Sequence, residues 1–195
     1  LSAVGCAQVP VRARLRVAVL STGDELREVG QDAGSGQIFD ANRPMLLSLA
    51  TRWGFEPVDL GRVGDDRNAL RAVFDEGAAR ADVILTSGGA SAGDEDHVSA
   101  LLRATGALQM WRIALKPGRP LALAMWQGVP VFGLPGNPVA ALVCALVFAR
   151  PAMAALSGQG WIDPQGYALP AGFEKQKKPG RHEYLRARVR DGRVE

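Results

Sequence analysis

The sequence predicts an α/β fold, a mostly parallel sheet flanked by helices and followed by the start of a small β domain. Three observations predict it. Apolar runs of strand length alternate with stretches whose apolar residues recur every three or four positions, the pattern of successive βαβ units. The run at residues 82–85 (DVIL) is continuously apolar after its Asp, as a strand covered on both faces should be. Polar loops follow several of the strand-like runs, at the places where an open parallel sheet binds its ligands.

Taken in order, residues 16–20 (RVAVL) are the first clear strand, and they run into Ser21, Thr22, Gly23, Asp24 and Glu25. A Gly-rich loop spans residues 30–37. Met45, Leu46, Leu49 and Trp53 then recur at helical spacing, with Gly54 as the stop. Residues 56–60 form a second strand leading to Gly64, Asp65 and Asp66. Asp66 caps the next helix, whose inward stripe is Leu70, Val73 and Phe74. The buried strand exits into residues 86–96 (TSGGASAGDED), and Val98, Leu101 and Leu102 mark the helix after it. Residues 108–115 (LQMWRIAL) read as one further strand that ends in Lys116, Pro117, Gly118, Arg119 and Pro120.

Two short strands follow, 121–126 and 129–134, joined by a Gln–Gly turn, and the second meets Pro135, Gly136, Asn137 and Pro138. Asn137 is a natural N-cap and Pro138 a natural first residue of a helix to about Leu156, which Pro151 is expected to kink or end early. Near residues 157–160 (SGQG) the character changes to short alternating stretches, with 184–189 the clearest. The expected division is a main α/β domain over residues 1–158 and a partial β domain over residues 159–195, too short to build a core alone.

Composition narrows the function classes. The chain has 195 residues and a formal charge of +3, and its densest basic stretch, 175–190, mixes acids and apolar residues. That pattern reads as a solvated surface with a mild attraction for anions, and no nucleic-acid partner is expected. Cys6 and Cys144 lie far apart without a CxxC or Cys/His neighbour, so neither a disulfide framework nor a zinc site is expected and a reducing cytoplasm fits. The longest apolar run, 139–149, is shorter than the roughly 20 residues that cross a bilayer, so no membrane association is expected. The chain opens on Leu1, which suggests a fragment of something longer.

The loops that follow strand ends carry the candidate chemistry. Ser87, Gly88, Gly89 and Ala90 place small residues where a strand turns toward a helix, so backbone amides can approach an anion. Asp94, Glu95 and Asp96 follow, and a hard cation such as Mg²⁺ between carboxylate and phosphate reconciles the acids with an anion site. The alternative is an acid-rich helix start favoured by the helix dipole. Asp65 is a second metal ligand if its loop meets that one, whereas Asp24 and Glu25 by themselves also fit an ordinary turn. Lys116 and Arg119, framed by prolines and Gly118, form a phosphate clamp or a solvated turn. Ser87 and Ser91 have no His at a recognisable spacing, so a hydrolase triad is not supported, and His97 and His182 read as surface or packing residues.

The motifs VAVLSTGDEL (17–26), GQIFDANRPML (36–46), VGDD (63–66), DVILTSGGASAGDEDHV (82–98), LKPGRP (115–120) and GLPGNPVAAL (133–142) together resemble molybdopterin molybdenumtransferase, the family that includes the molybdenum-inserting domain of gephyrin. The match covers about residues 10–158. The resemblance implies a three-layer molybdopterin-binding domain and a role in molybdenum cofactor biosynthesis. It implies an enzyme that takes adenylylated molybdopterin and molybdate, releases AMP with the help of Mg²⁺, and leaves molybdenum on the dithiolene sulfurs. It also implies two N-terminal domains and a longer C-terminal β domain in the full-length protein, a homodimer with the cleft at its interface, and molybdopterin adenylyltransferase and molybdoenzymes as partners.

Carried over position by position, Glu25, Asp65 and Asp96 match the family's functional acids and Lys116 its functional lysine; Asp65 and Asp96 are the implied metal ligands. The implied substrate contacts are Thr22 and Gly23 after the first strand, and Ser87, Gly88, Gly89, Ser91 and Gly93 in the Gly-rich loop. Arg112, where relatives often carry Lys, joins them with Gly118 and Arg119. Pro135, Gly136, Asn137 and Pro138 complete the set. Two other readings share the fold: a molybdopterin adenylyltransferase, and a non-catalytic scaffold. The GDEL and KPG segments speak against the first, and converging carboxylates against the second.

Overall fold

The computed structural model describes residues 1–88, 97–105, 108–111, 113–177 and 179–195, with the backbone alone for 109–111. The chain opens with β1 (Arg16–Thr22), the two-residue strands β2 (Leu26–Arg27) and β3 (Ile38–Phe39), and α1 (Asn42–Arg52). Next come β4 (Glu56–Val63), α2 (Arg67–Arg80), β5 (Val83–Ser87) and α3 (His97–Ala104). β6 (Leu108–Trp111), β7 (Leu115–Lys116), β8 (Ala122–Trp126) and β9 (Val129–Leu134) lead to a long helix. It comprises α4 (Pro138–Cys144), a π-helical turn (Ala145–Ala149) and α5 (Arg150–Leu156). The tail carries β10 (His182–Glu183), β11 (Val189–Arg190) and β12 (Arg193–Val194).

Six strands form one sheet in the order β4-β1-β5-β9-β8-β6. β4, β1, β5 and β9 run parallel, while β8 is antiparallel to both its neighbours, as the two-residue Gln127–Gly128 turn into β9 requires. Alternation along the buried strands builds two cores. Val17, Val19, Val83 and Leu85 pack against α1 and the long helix through Leu46, Ala50, Ala141, Ala145 and Met153. Ala18, Leu20 and Ile84 pack against α2 and α3 through Leu70, Phe74, Leu101 and Leu102. The result is three layers, helix–sheet–helix. The chain leaves β1 by one face through α1 and returns to β5 by the other through α2. The strand order therefore reverses between β1 and β5, and the crevice at their carboxyl ends is where such sheets bind ligands.

Local sequence sets the helix starts. Asp66 accepts the Ala69 amide at 2.7 Å, and Asn137 accepts those of Val139 and Ala140. Pro151 does not end the long helix. The preceding turn widens, so that the Arg150 amide reaches the Ala145 carbonyl five residues back, and the proline ring is accommodated. The helix from Pro138 to Leu156 has 19 residues and is, by length and composition, long and apolar enough to cross a membrane, which the shorter run 139–149 did not suggest. Ala141, Cys144, Ala145 and Ala149 nevertheless lie fully buried in the first core, and burial pushes the Cys144 thiol up to about 12.

Residues 108–115 are not one strand. Among the described residues β6 pairs with β8 through Trp111↔Ala122, and Pro120 beyond has no amide to donate to a longer ladder. Ile113 instead donates to the Arg119 carbonyl at 2.9 Å, and β7 pairs in parallel with β10, returning from the tail. β11 and β12 form a hairpin whose Val194 bridges to Ala171.

Candidate functional site

At the carboxyl end of β1, Gly23 adopts φ +138°, and a Cβ there would lie 2.4 Å from Glu25 Oε2. The Glu25 carboxylate is thus folded back over the strand end, in space that only glycine leaves open. The neighbouring loop after β4 is tied to it by a reciprocal exchange. The Asp65 amide donates to Asp24 Oδ1 at 3.1 Å, and the Asp24 amide donates to Asp65 Oδ2 at 3.4 Å. Arg62 donates to the Gly23 carbonyl at 3.2 Å and the Gly23 amide to that of Val63, so the two strand ends are locked together. The carboxylates of Asp24 and Asp65 therefore stand side by side.

The β5 exit approaches β1 as closely as backbone can. Gly88 has φ +91°, and a Cβ on it would lie 2.4 Å from the Thr22 carbonyl oxygen. Its Cα faces Gly136 of the β9 exit, where a Cβ would sit 3.8 Å away. Asn42, at the start of α1, donates from Nδ2 to Ser87 Oγ and to the Gly136 carbonyl, both at 2.7 Å. These groups line a cleft of about 190 Å³ whose walls include Thr22, Glu25, Phe39, Asn42, Ser87 and Gly88. Ser21 Oγ, Thr22 Oγ1, Thr86 Oγ1 and Asn42 Oδ1 are buried there or at the adjoining strand ends without a hydrogen-bond partner among the described residues. An unpaired buried polar atom costs about 1–3 kcal/mol, so these four stand open to a partner from a ligand or from water.

The outer wall is the ribbon of β2 and β3, which contributes Leu26, Ile38 and Phe39. Arg43 clamps it. The guanidinium pairs with Glu28 on the ribbon, Asp40 at the start of α1 (3.2 Å) and Asp59 on β4 (2.6 Å). Ile38 and Phe39 stay about half exposed, an apolar face beside a polar floor.

Lys116 lines a second cleft, of about 450 Å³, with Lys175, Arg181 and Glu183. Glu183 pairs with Lys175 at 2.7 Å and Lys116 at 3.2 Å, and these bonds hold its carboxyl below the usual range. Gly118 is buried with φ +110°, and a Cβ there would meet Cys144 Sγ at 2.6 Å, so the turn between Lys116 and Arg119 is seated on the long helix.

Of the residues expected from the sequence, Thr22, Glu25, Ser87, Gly88, Gly136 and Pro138 meet in the first cleft, with Gly23 beneath Glu25 and Asp65 beside Asp24. Asn137 spends its carboxamide oxygen on capping and Pro135 is buried. Lys116 belongs to the second cleft, and Arg119 is exposed. Gly89, Ser91, Gly93, Asp96 and Arg112 lie outside the described residues. Among the described residues no group of three His, Cys, Asp or Glu surrounds one point, but the Asp24–Asp65 pair supplies the hard oxygen donors that Mg²⁺ takes. Sequence reasoning missed Asn42, Arg43, Lys175, Arg181 and Glu183. Asn42 and Arg43 lay inside the GQIFDANRPML motif, where a polar pair opening a helix was the available signal.

Residues 18–155 match a family model described as "Probable molybdopterin binding domain". The chain belongs to the molybdopterin-binding domain family. It is 39% identical over 187 residues to the molybdopterin molybdenumtransferase of Haemophilus influenzae, covering 95% of this chain and 46% of that protein. It is 40% identical over 167 residues to the enzyme of the same name from Nostoc sp., covering 83% of this chain and 38% of that one. The chain thus spans less than half the length of both relatives. A crystal structure of a molybdopterin biosynthesis protein from Pyrococcus horikoshii superposes with a TM-score of 0.67 at 32% identity, covering 75% of this chain and 36% of that one. The molybdopterin-binding domain, with its mostly parallel sheet and switch-point cleft, is therefore the frame in which the site is placed.

Proposed function

We propose that this chain carries the substrate-binding part of a molybdopterin molybdenumtransferase, which inserts molybdate into adenylylated molybdopterin and releases AMP. The observation that carries the reading is the pairing of Asp24 with Asp65 next to the glycine approach of Gly88 to Thr22, a hard-cation corner beside an anion cradle. Asp65, with Asp24 at its side and Asp96 as the further ligand, would hold Mg²⁺. When bound, Mg²⁺ neutralises phosphate oxygens and so weakens the anhydride bond to AMP. Glu25, lying over Gly23 at the mouth of the same cleft, orients water or the cation. The Ser87 hydroxyl and the Gly88 amide hold the phosphate, and the half-exposed Ile38 and Phe39 give a flat pterin ring an apolar face. Thr22 and Gly23 belong to the same side of the site, with Gly136, Asn137 and Pro138 opposite, and Gly89, Ser91 and Gly93 are the further substrate contacts that the reading assigns. The cleft of Lys116, Lys175 and Arg181, beside the turn that carries Gly118 and Arg119, takes the molybdate oxyanion, and the reading assigns Arg112 to the same ligand.

The same reading places the full-length protein in the cytoplasm as a homodimer supplied by the adenylyltransferase that makes its substrate. It divides the chain at about residue 158 into the α/β domain and a partial β domain. The test is incubation of the full-length protein with adenylylated molybdopterin, molybdate and Mg²⁺ while AMP is followed by chromatography. AMP release that needs both molybdate and Mg²⁺ and falls at least about a hundredfold in Asp65→Asn is expected, the size of one lost preorganised charge contact. No release by the full-length protein sinks the insertase reading.

A further inference from the structure

Asn42 is 7% exposed and gives both Nδ2 hydrogens away, one to Ser87 Oγ and one to the Gly136 carbonyl. A carbonyl oxygen can only accept, so the Gly136 contact fixes which end of the carboxamide is nitrogen. Ser87 Oγ is therefore an acceptor toward Asn42, and its own proton remains to be placed. Ser87 ends β5, is 2% exposed, and finds no acceptor for that proton among the described residues. Its side chain lines the first cleft, which is the open direction. Among the described residues Asn42 Oδ1 has no partner, and the amide is held by its two donated bonds.

We infer that Asn42 is a positioning residue that makes Ser87 a hydrogen-bond donor into the cleft while joining the β5 and β9 exits. It rests on the reading that an anionic oxygen of adenylylated molybdopterin occupies this cleft. A serine hydroxyl can donate or accept, and a phosphate oxygen only accepts. A site for such an oxygen gains from a residue that occupies one of the serine's lone pairs and leaves its proton free. Asn42 does this from the first residue of α1, and the Gly136 bond keeps the third loop in register with the other two.

The substitution that separates this role from simple packing is Asn42→Asp. A carboxylate there can only accept, so it takes the Ser87 proton away from the ligand and leaves the Gly136 carbonyl without its donor. Affinity for adenylylated molybdopterin, measured by calorimetry, should fall about tenfold or more in Asn42→Asp, as it should in Ser87→Ala. The double variant should lose less than the product of the two single losses, because part of Asn42's effect passes through Ser87. Losses that multiply, or an Asn42→Asp protein that binds like the parent, overturn the inference.

A second readout needs no ligand and no charged variant. Both side-chain amide protons of Asn42 should exchange slowly in the parent, and one of the two should become fast in Ser87→Ala while the other stays protected by Gly136. Two fast protons in the parent, or no change in Ser87→Ala, also overturn it. Failure of the parent to bind adenylylated molybdopterin would sink the functional reading separately, with the amide exchange still deciding whether Asn42 orients Ser87.

Discussion

A methyl group on Gly88 would meet the Thr22 carbonyl oxygen at 2.4 Å and the Thr22 hydroxyl at 3.1 Å, on a backbone at φ +91°. The closer contact cannot yield cheaply, since its partner is main chain in an interior strand of the sheet. Gly88→Ala is therefore expected to cost roughly 2 kcal/mol or more in urea unfolding, the strain of the left-handed backbone plus the clash. Gly128→Ala is the control. It has φ +83° with nothing within 4 Å of the added methyl, so it pays the backbone strain alone, about 1 kcal/mol. Equal losses in the two proteins would mean that the approach to Thr22 contributes nothing. At this scale the sequence was partly legible. The cluster of small residues after a buried strand announced a close approach, but not what was approached. Asn42 was silent, because its partners lie 45 and 94 positions away, and no local pattern encodes them.

The ribbon of β2 and β3 is held less by its two paired residues than by one arginine. Arg43 has 13% of its side chain exposed and faces three carboxylates, of which Asp40 is nearly as buried as the core. Removing the cation leaves the buried Asp40 carboxylate without a counter-charge, held by the residue-43 amide on Oδ1, and releases Glu28 and Asp59 from the guanidinium. Arg43→Ala should then cost about 1–3 kcal/mol, the range for hydrogen bonds to charged groups. It should also speed protease cleavage in the loop between Glu28 and Gln37, as the wall swings off the cleft. Arg43→Lys keeps the charge but reaches only part of the fork, so its cleavage rate should fall between the two. An unchanged rate in Arg43→Ala would show that the ribbon is held otherwise. Elements governed by local rules were legible: the alternating and continuous apolar runs, the Asp66 and Asn137 caps, and the helical stripes all stand where the periodicity put them. The stretch 108–115 was not. Whether an extended segment continues as a strand depends on a partner, and β7 finds its partner in β10, 67 positions along the chain.

Across the whole molecule, the tail returns to the α/β layers at one ionic point. Glu183, on β10, sits between Lys116 and Lys175 and cancels part of the positive potential of the cleft they share with Arg181. The hydrogen bonds from Lys175 and Lys116 keep its carboxyl below the usual range, so it is charged at neutral pH. A carboxyl held low in the folded protein stabilises above its unfolded pKa, and that contribution is lost as pH falls through the folded value. Glu183→Gln should remove this acid-side sensitivity at the β7–β10 contact. It should also leave two cations uncompensated at pH 7. If the cleft receives an oxyanion, molybdate affinity measured by calorimetry at low salt should rise about three- to tenfold in Glu183→Gln, as expected for one unit charge removed at a partly exposed site. The gain should shrink at about 1 M NaCl, where the Debye length is near 3 Å. Molybdate affinity that falls or does not move would instead make Glu183 the organiser of the lysines. The second cleft would then be a structural joint between the tail and the molybdopterin-binding domain.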